Sequence, residues 1–247
     1  MYRFIARYHL EMSKLRHLQV KFWKISFYLP SENLESTSDL ENLDTCSTLL
    51  ISLDQVENII GKIPNVRDLK IRLSKAEESS GYCNMSPLQS LESLEVSSLP
   101  PNNVEFSFPP TLKELVLEGL RLSWSKIQLI GELPNLEVLK LLYQSFMGER
   151  WDLTDGGFIK LRFLSLVSLD IVEWTDTSCD DPSTCLQKLL FTKVFELKTV
   201  RSCLEHIYNL EEIMVKQWTN AVKSLVKKIE EEQKCCGNEN LKIIIID

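Results

Sequence analysis

Residues 130–142 read IGELPNLEVLKLL. From Leu136 onward, apolar side chains occupy the first, fourth and sixth positions of a six-residue unit. Alternate side chains of a β-strand point to opposite faces, so the unit predicts a short strand with one buried face. The unit recurs at intervals of 21 to 26 residues. Its copies begin at Leu15, Leu40, Val66, Leu91, Leu112, Leu136, Leu161, Leu186 and Leu210, and a looser copy begins at Leu241.

One such unit cannot cover its own apolar face, whereas stacked neighbours bury a continuous core. The repeat therefore predicts an α/β repeat fold, a curved leucine-rich repeat solenoid. We expect a parallel β-sheet on the concave face and short helices or irregular segments on the convex face. Residues 1–218 are predicted to hold about nine repeats, and residues 219–247 a closing helix and a last strand.

The segments between the units are predicted to differ from one another. Residues 53–60 and 125–130 have helical apolar spacing, with Gly61 and Gly131 where a helix would stop. Residues 100–110 are flanked by proline pairs, which favours an irregular return. Residues 219–234 are predicted to form an amphipathic helix. The ninth position of the unit lacks asparagine, so no asparagine ladder is expected and the curvature should be uneven.

The composition narrows the class of protein. Hydrophobic residues make up 44% of the chain and charged residues 26%, with a net charge of −7. No run of lysine and arginine is long enough to suggest nucleic-acid binding. Seven scattered cysteines without a C-x-x-C pair indicate free thiols in a reducing compartment. No stretch approaches the roughly 18 apolar residues of a membrane span. We expect a cytoplasmic protein without an integral membrane segment, and leave peripheral membrane association open.

Motifs that carry catalysis are not found in the sequence. It contains no G-x-S-x-G and no phosphate-binding G-x-x-x-x-G-K-[ST], and its three histidines lack metal-ligand spacing. We therefore expect no enzyme activity, no cofactor and no metal in this chain. The five tryptophans, at 23, 124, 151, 174 and 218, are not predicted to group together.

A partner-binding surface is predicted on the strand positions that alternate with the core. The N-terminal half of this concave face is charged and the C-terminal half is apolar, and large apolar patches on soluble proteins tend to be contact sites. The alternative is that the C-terminal segment folds over the apolar half. The candidate residues are Lys70, Arg72, Glu95, Val116, Lys140, Leu142, Phe163, Ser165, Val167, Leu190, Met214 and Trp218.

Several blocks of sequence resemble the leucine-rich repeat region of plant intracellular nucleotide-binding leucine-rich-repeat disease resistance proteins. The similarity is to the solanaceous coiled-coil type that includes the late-blight resistance proteins, and it covers nearly the whole chain. The blocks that carry it are PPTLKEL (109–115), LSW (122–124), IGELPNLEVLKL (130–141), GERW (148–151), GFIKLRFL (157–164), and residues 195–197 to 207–213.

The resemblance implies a pathogen sensor. Its repeats would recognise an effector or a guarded host protein and restrain a nucleotide-binding switch that triggers defence and hypersensitive cell death. The nucleotide-binding module, which would bind ADP or ATP, has no motif in this sequence, so we expect a fragment or a truncated gene product. Its partners would be proteins, including that module. The alternatives are a substrate adaptor of a ubiquitin ligase and an enzyme regulator similar to ribonuclease inhibitor.

Overall fold

The computed structural model describes residues 3–5, 14–18, 26–28, 40–74, 80–98, 103–153, 157–176, 185–201, 207 and 209–246. The chain forms two compact units, Met1–Leu120 and Arg121–Asp247. The predicted boundary between residues 218 and 219 separates repeats from a closing segment and stays a prediction.

Unit 1 consists mainly of parallel strands. One sheet has the order β1-β3-β4-β5-β7-β9, with β2 also on β4, and β6 and β8 form a separate pair. The bounds are β1 Arg3–Ile5, β2 His17–Leu18, β3 Ser26–Tyr28, β4 Thr45–Ile51, α1 Val56–Lys62, β5 Asp68–Leu73, β6 Ser80–Asn84, β7 Ser93–Ser98, β8 Asn103–Ser107 and β9 Glu114–Glu118.

The register of these strands aligns the repeats of unit 1. Leu69 on β5 pairs with Leu94 on β7, which in turn pairs with Leu115 on β9, and all three are fully buried. Thr45 on β4 pairs with Asp68 on β5. This pairing makes Leu43, not Leu40, the equivalent of Val66. The second repeat therefore begins three residues later than the sequence pattern indicated.

Strand β4 contains a β-bulge, which explains the misplaced repeat start. The register shifts between Cys46 and Leu49, and Thr48 has a positive φ of 26°. A bulge inserts an extra residue, so the period-two alternation is broken at this point. Cys46 and Leu49 take the buried positions that Leu69 and Ile71 occupy in β5.

Unit 2 has the same organisation. One sheet has the order β11-β14-β16-β18-β19, β13-β15-β17 form a second sheet, and β10 pairs with β12. The bounds are β10 Leu122–Ser123, α2 Ile127–Gly131, β11 Val138–Leu142, β12 Phe146–Met147, β13 Arg150–Leu153, β14 Phe163–Val167, β15 Glu173–Asp176, β16 Lys188–Thr192, β17 Thr199–Arg201, β18 Glu212–Lys216, α3 Asn220–Cys235 and β19 Lys242–Ile246.

The core of unit 2 is a set of apolar rows that run across the strands. The fourth position of the repeat contributes Leu139, Leu164, Leu189 and Ile213, which pair in register and are at most 1% exposed. Burying a leucine side chain contributes about 1.5–3 kcal/mol. The buried rows of both units confirm the predicted leucine-rich repeat solenoid with a parallel β-sheet.

The last strand departs slightly from the sequence pattern. Ile213 on β18 pairs with Ile243 on β19. Asn240, rather than Leu241, therefore stands at the first position of the looser copy. Helix α3 precedes this strand and buries one apolar side. It begins after Thr219, whose Oγ1 accepts a hydrogen bond from the Val222 backbone N–H at 3.4 Å.

The segments between the core strands are more regular than the sequence suggested. Helices α1 and α2 lie where helical spacing predicts them, each preceded by a 3₁₀ turn, and Gly61 lies inside α1 rather than beyond its end. The expectation of an irregular return over residues 100–110 is wrong in part. Strand β8 occupies Asn103–Ser107 and pairs with β6 in parallel.

Three tryptophans of unit 2 are stacked, contrary to the prediction that they would not group. The ring centroids of Trp124 and Trp151 are 5.0 Å apart, and those of Trp151 and Trp174 are 4.8 Å apart, with nearly parallel planes. Trp151 and Trp174 are register partners on β13 and β15. The Trp124 Nε1–H donates to the Gly148 carbonyl at 2.8 Å. The stack is buried and joins successive repeats.

We expect Trp151→Ala to lower the free energy of unfolding by about 3–5 kcal/mol, because a fully buried indole leaves a large cavity between two aromatic neighbours. Trp218→Ala is the control: that ring is half-buried beside α3, and its loss should cost about 1 kcal/mol. Urea unfolding followed by circular dichroism measures both. Equal losses in the two variants would contradict a structural role for the stack.

A turn with left-handed backbone follows each of the core strands β11, β14, β16 and β18 of unit 2. Tyr143, Ser168, Lys193 and Gln217 have φ angles between 46° and 53°. Backbone hydrogen bonds link these turns. The Ser168 N–H donates to the Thr192 carbonyl at 2.9 Å, and the Lys193 N–H donates to the Lys216 carbonyl at 3.1 Å. A ladder of backbone groups therefore connects the turns without an asparagine side chain.

Replacing one of these residues by glycine should not weaken the fold. A non-glycine residue in the left-handed region costs about 1–2 kcal/mol, part of which glycine recovers. We expect Lys193→Gly to raise the free energy of unfolding by up to about 1 kcal/mol and Lys193→Val to lower it by about 1–2 kcal/mol. Thermal and urea unfolding would test both. A Val variant as stable as the Gly variant would refute the role of φ.

Candidate functional site: the outward faces of the sheets

The candidate surface consists of the strand side chains that alternate with the core. In β5 the burial alternates residue by residue, with Leu69, Ile71 and Leu73 buried and the residues between them half-exposed. Strands β11, β16 and β18 alternate in the same way. The strand side chains that lie between the buried ones, and point away from the core, are called the outward face of each unit.

The outward face of unit 1 is charged and internally paired. Across β5 and β7, Lys70 Nζ donates to Glu95 Oε2 at 2.7 Å, and Arg72 Nε donates to Ser97 Oγ at 3.4 Å. The hydrogen bond to Glu95 raises the pKa of Lys70. Each of these pairs follows the strand register. Two of the predicted contact residues, Lys70 and Glu95, are therefore engaged with each other.

Carboxylates outnumber basic groups on this face. Burial raises the pKa of Asp68, and the carboxylates of Glu114 and Glu95 raise it further against the opposing effect of Lys70. Strands β5, β7 and β9 together contribute four carboxylates and two basic side chains to the outward face. Those six charged residues are Asp68, Lys70, Arg72, Glu95, Glu114 and Glu118.

The outward face of unit 2 is apolar with a basic border. Its fifteen positions lie on β11, β14, β16, β18 and β19, in three rows set by the register. The first row is Val138, Phe163, Lys188, Glu212 and Lys242. The middle row is Lys140, Ser165, Leu190, Met214 and Ile244. The third row is Leu142, Val167, Thr192, Lys216 and Ile246.

The structure brings together most of the predicted contact residues of unit 2. Lys140, Ser165, Leu190 and Met214 are neighbours in the middle row. Ser165 is only 3% exposed, so it leaves little surface for a partner and forms a low point between longer side chains. That these residues bind a partner stays a prediction.

Two predicted residues differ from the rest in their placement. Trp218 lies two residues beyond β18, outside the three rows, and Lys223 Nζ of α3 is 4.6 Å from its ring centroid. Val116 in unit 1 points to the outward side but is only 9% exposed. Neither side chain offers an open apolar surface comparable with that of the middle row in unit 2.

Sequence reasoning missed Ile244 and Ile246, which extend the apolar rows onto β19. Ile244 continues the row of Leu190 and Met214, and Ile246 is 42% exposed. The residues 243–246 are four consecutive isoleucines, a pattern that does not show which ones point outward. Only the pairing with β18 resolves this.

The C-terminal segment does not bury the apolar rows. Strand β19 lies beside β18 as a further strand of the same sheet. Phe163, Leu190 and Met214 remain half-exposed in the described structure. The apolar side chains are therefore accessible, which is the condition that a contact surface requires.

Within the part of the chain that the structure describes, few groups could carry other chemistry. Among the described residues, no three His, Cys, Asp or Glu side chains cluster in a way that could hold a metal ion. No helix in the described segments has the length and apolar character needed to cross a membrane. Burial raises the pKa of the Cys46 and Cys83 thiols from 9.0 to about 12, whereas Cys235 and Cys236 are exposed.

The buried thiols should make the fold sensitive to alkaline pH. Their pKa is higher in the folded state than the unfolded value of 9.0, so their contribution is complete below pH 9 and is lost as the pH rises towards 12. Each thiol should then lower the free energy of unfolding by about 1.4 kcal/mol per pH unit.

Urea unfolding between pH 8 and 11 measures the slope. We expect Cys46→Ala with Cys83→Ala to flatten it, and the exposed pair Cys235→Ala with Cys236→Ala, as control, to leave it unchanged. Thiol titration with Ellman's reagent on the folded chain should modify the exposed pair first. Identical slopes in the two double variants would exclude this explanation.

The fold and the outward faces define a leucine-rich repeat protein whose accessible surface is suited to contact with other macromolecules. No family model matches the chain. Among curated proteins it is similar to late blight resistance protein R1-A of Solanum demissum, with 30% identity over 243 residues, 96% of this chain and 18% of that protein. The late blight resistance protein homolog R1B-13 of the same species is 30% identical over 219 residues, 86% of this chain and 19% of that protein.

A relative from a second plant species is also a disease resistance protein. Disease resistance protein RF45 of Arabidopsis thaliana is 26% identical over 197 residues, which is 75% of this chain and 18% of that protein. The chain is thus a homologue of plant late blight and disease resistance proteins, as the sequence resemblance predicted. It spans less than a fifth of the length of these three relatives.

Proposed function

We propose that this chain is the protein-recognition module of a plant immune receptor. In this proposal it contacts a pathogen effector or a guarded host protein, restrains a nucleotide-binding switch in the same receptor, and acts in the cytoplasm. Release of the restraint leads to defence and hypersensitive cell death. The names of the relatives support the immune role, and the repeat fold supports the recognition role.

The observation that carries the recognition role is the accessible apolar patch on the outward face of unit 2. Eight of its fifteen positions are apolar: Val138, Leu142, Phe163, Val167, Leu190, Met214, Ile244 and Ile246. Soluble proteins rarely expose contiguous apolar patches of this kind unless they bind something. These side chains lie on paired strands, and a rigid sheet holds an interface better than a loop does.

The restraint of the switch is proposed through protein contacts alone. The chain itself contains no phosphate-binding motif, so ADP or ATP would bind to the nucleotide-binding module and not to residues of this chain. The charged outward face of unit 1 is the other surface available for such a contact.

The proposal is tested by recovering partners from plant leaves. We would express the tagged chain, cross-link, purify and identify the partners by mass spectrometry. We expect a nucleotide-binding receptor polypeptide, or a host protein that a resistance protein guards, among the partners. Recovery of a ubiquitin-ligase core subunit instead would overturn the proposal in favour of a ligase adaptor.

A double variant locates the contact. We expect Phe163→Asp with Leu190→Asp to reduce recovery of the partner roughly tenfold or more, because two charges would be buried in an apolar interface. Leu129→Asp with Ile159→Asp is the matched control, since these side chains are 50% and 48% exposed but lie outside the outward face. Circular dichroism verifies folding. Full recovery with the first variant would exclude this face.

A further inference from the structure

The basic side chains that border the apolar patch of unit 2 carry an inference about the partner. Five charged residues lie on this face: Lys140, Lys188, Glu212, Lys216 and Lys242. Four are lysines and one is a glutamate, on a chain whose net charge is −7. The face therefore has the opposite sign to the protein as a whole, and to the outward face of unit 1.

The positions of the lysines follow from the register. In the first row Lys188 and Lys242 are the partners on either side of Glu212, and in the third row Lys216 is the partner of Ile246. Between them, the last three positions of the middle row are Leu190, Met214 and Ile244. An apolar line thus runs across the strands, with ammonium groups along both of its sides.

The spacing of this line matches an α-helix. Neighbouring strands of a sheet lie about 4.8 Å apart, so Leu190, Met214 and Ile244 follow one another at about that spacing and span about 10 Å over three strands. One turn of an α-helix rises about 5.4 Å, so a helix lying across the strands can place one apolar side chain near each strand. Same-side residues of an extended peptide recur at about 6.6 Å, which fits this spacing less well.

We propose that the outward face of unit 2 binds an amphipathic α-helix of a partner protein whose apolar side is flanked by aspartate or glutamate. The apolar side would lie on Leu190, Met214 and Ile244. The flanking carboxylates would pair with Lys188, Lys216 and Lys242. The inference rests on the proposed recognition function and specifies the chemistry of its partner.

The test uses the full chain and a phage-displayed library of random peptides of about 16 residues, long enough for roughly 24 Å of helix. We expect the enriched peptides to have more Asp and Glu than Lys and Arg, to space their apolar residues by three and four, and to become helical on binding. Their affinity should fall as ionic strength rises from about 50 to about 300 mM, because the ammonium groups are solvent-accessible. No enrichment, or enrichment of neutral or basic peptides, overturns the inference.

Charge-reversal variants identify the residues. We expect Lys188→Glu with Lys216→Glu to weaken binding of the enriched peptides roughly tenfold or more. Lys198→Glu with Lys227→Glu makes the same change in net charge at exposed positions away from this face, and should weaken it less than about twofold. Equal weakening by the two pairs would attribute the effect to net charge and overturn the inference.

The failure of this inference can be told apart from failure of the recognition function. If the enriched peptides are not acidic but fail to bind the Phe163→Asp, Leu190→Asp variant, the face is still a contact surface. Only the proposal of an acidic helical partner would then be wrong. Acidic peptides that bind this variant unchanged would show that the face itself is not the site.

Discussion

A repeat of this chain cannot bury its own apolar positions, and the structure depends on that constraint. Leu139, Leu164 and Leu189 are covered because the strands pair in register, so that equal positions of successive repeats meet. The same pairing sets where the outward side chains lie. The core rows and the candidate surface are therefore two consequences of one register, and a shift of one residue would exchange them.

Most of the fold could be predicted because the leucine pattern reports that register directly. The exceptions have physical reasons. The bulge in β4 places two residues where the pattern allows one, so the sequence indicated Leu40 where the structure has Leu43. Residues 243–246 are all isoleucine, and such a run carries no information about which side is buried. The tryptophan stack was missed because the intervals from Trp124 to Trp151 and from Trp151 to Trp174 differ. The pairing of β13 with β15 makes Trp151 and Trp174 neighbours, and the 3₁₀ turn before α2 places Trp124 on Trp151.

The candidate site was predictable as a set of positions but not as an electrostatic surface. The alternation of the strands identified Leu190 and Met214 as outward residues. The sign of the charge on each face, and the ion pairs within it, could be read only from the strand register. Lys70 is paired with Glu95, which lies 25 residues away in sequence, whereas Lys188 and Lys216 border an apolar row. The outward faces of the two units consequently differ in kind: one is acidic and internally paired, and the other is apolar and basic.

The turns after the core strands of unit 2 are joined by backbone atoms, with Tyr143, Ser168, Lys193 and Gln217 at equivalent positions. An asparagine ladder fixes a side chain in each repeat, whereas a backbone ladder needs only a residue that tolerates the left-handed conformation. The outward face also contributes little to the core. The residues that maintain the fold are therefore different from those that would contact a partner. Such a scaffold is evolvable: substitutions can accumulate on the face, and change what it recognises, at small cost to folding.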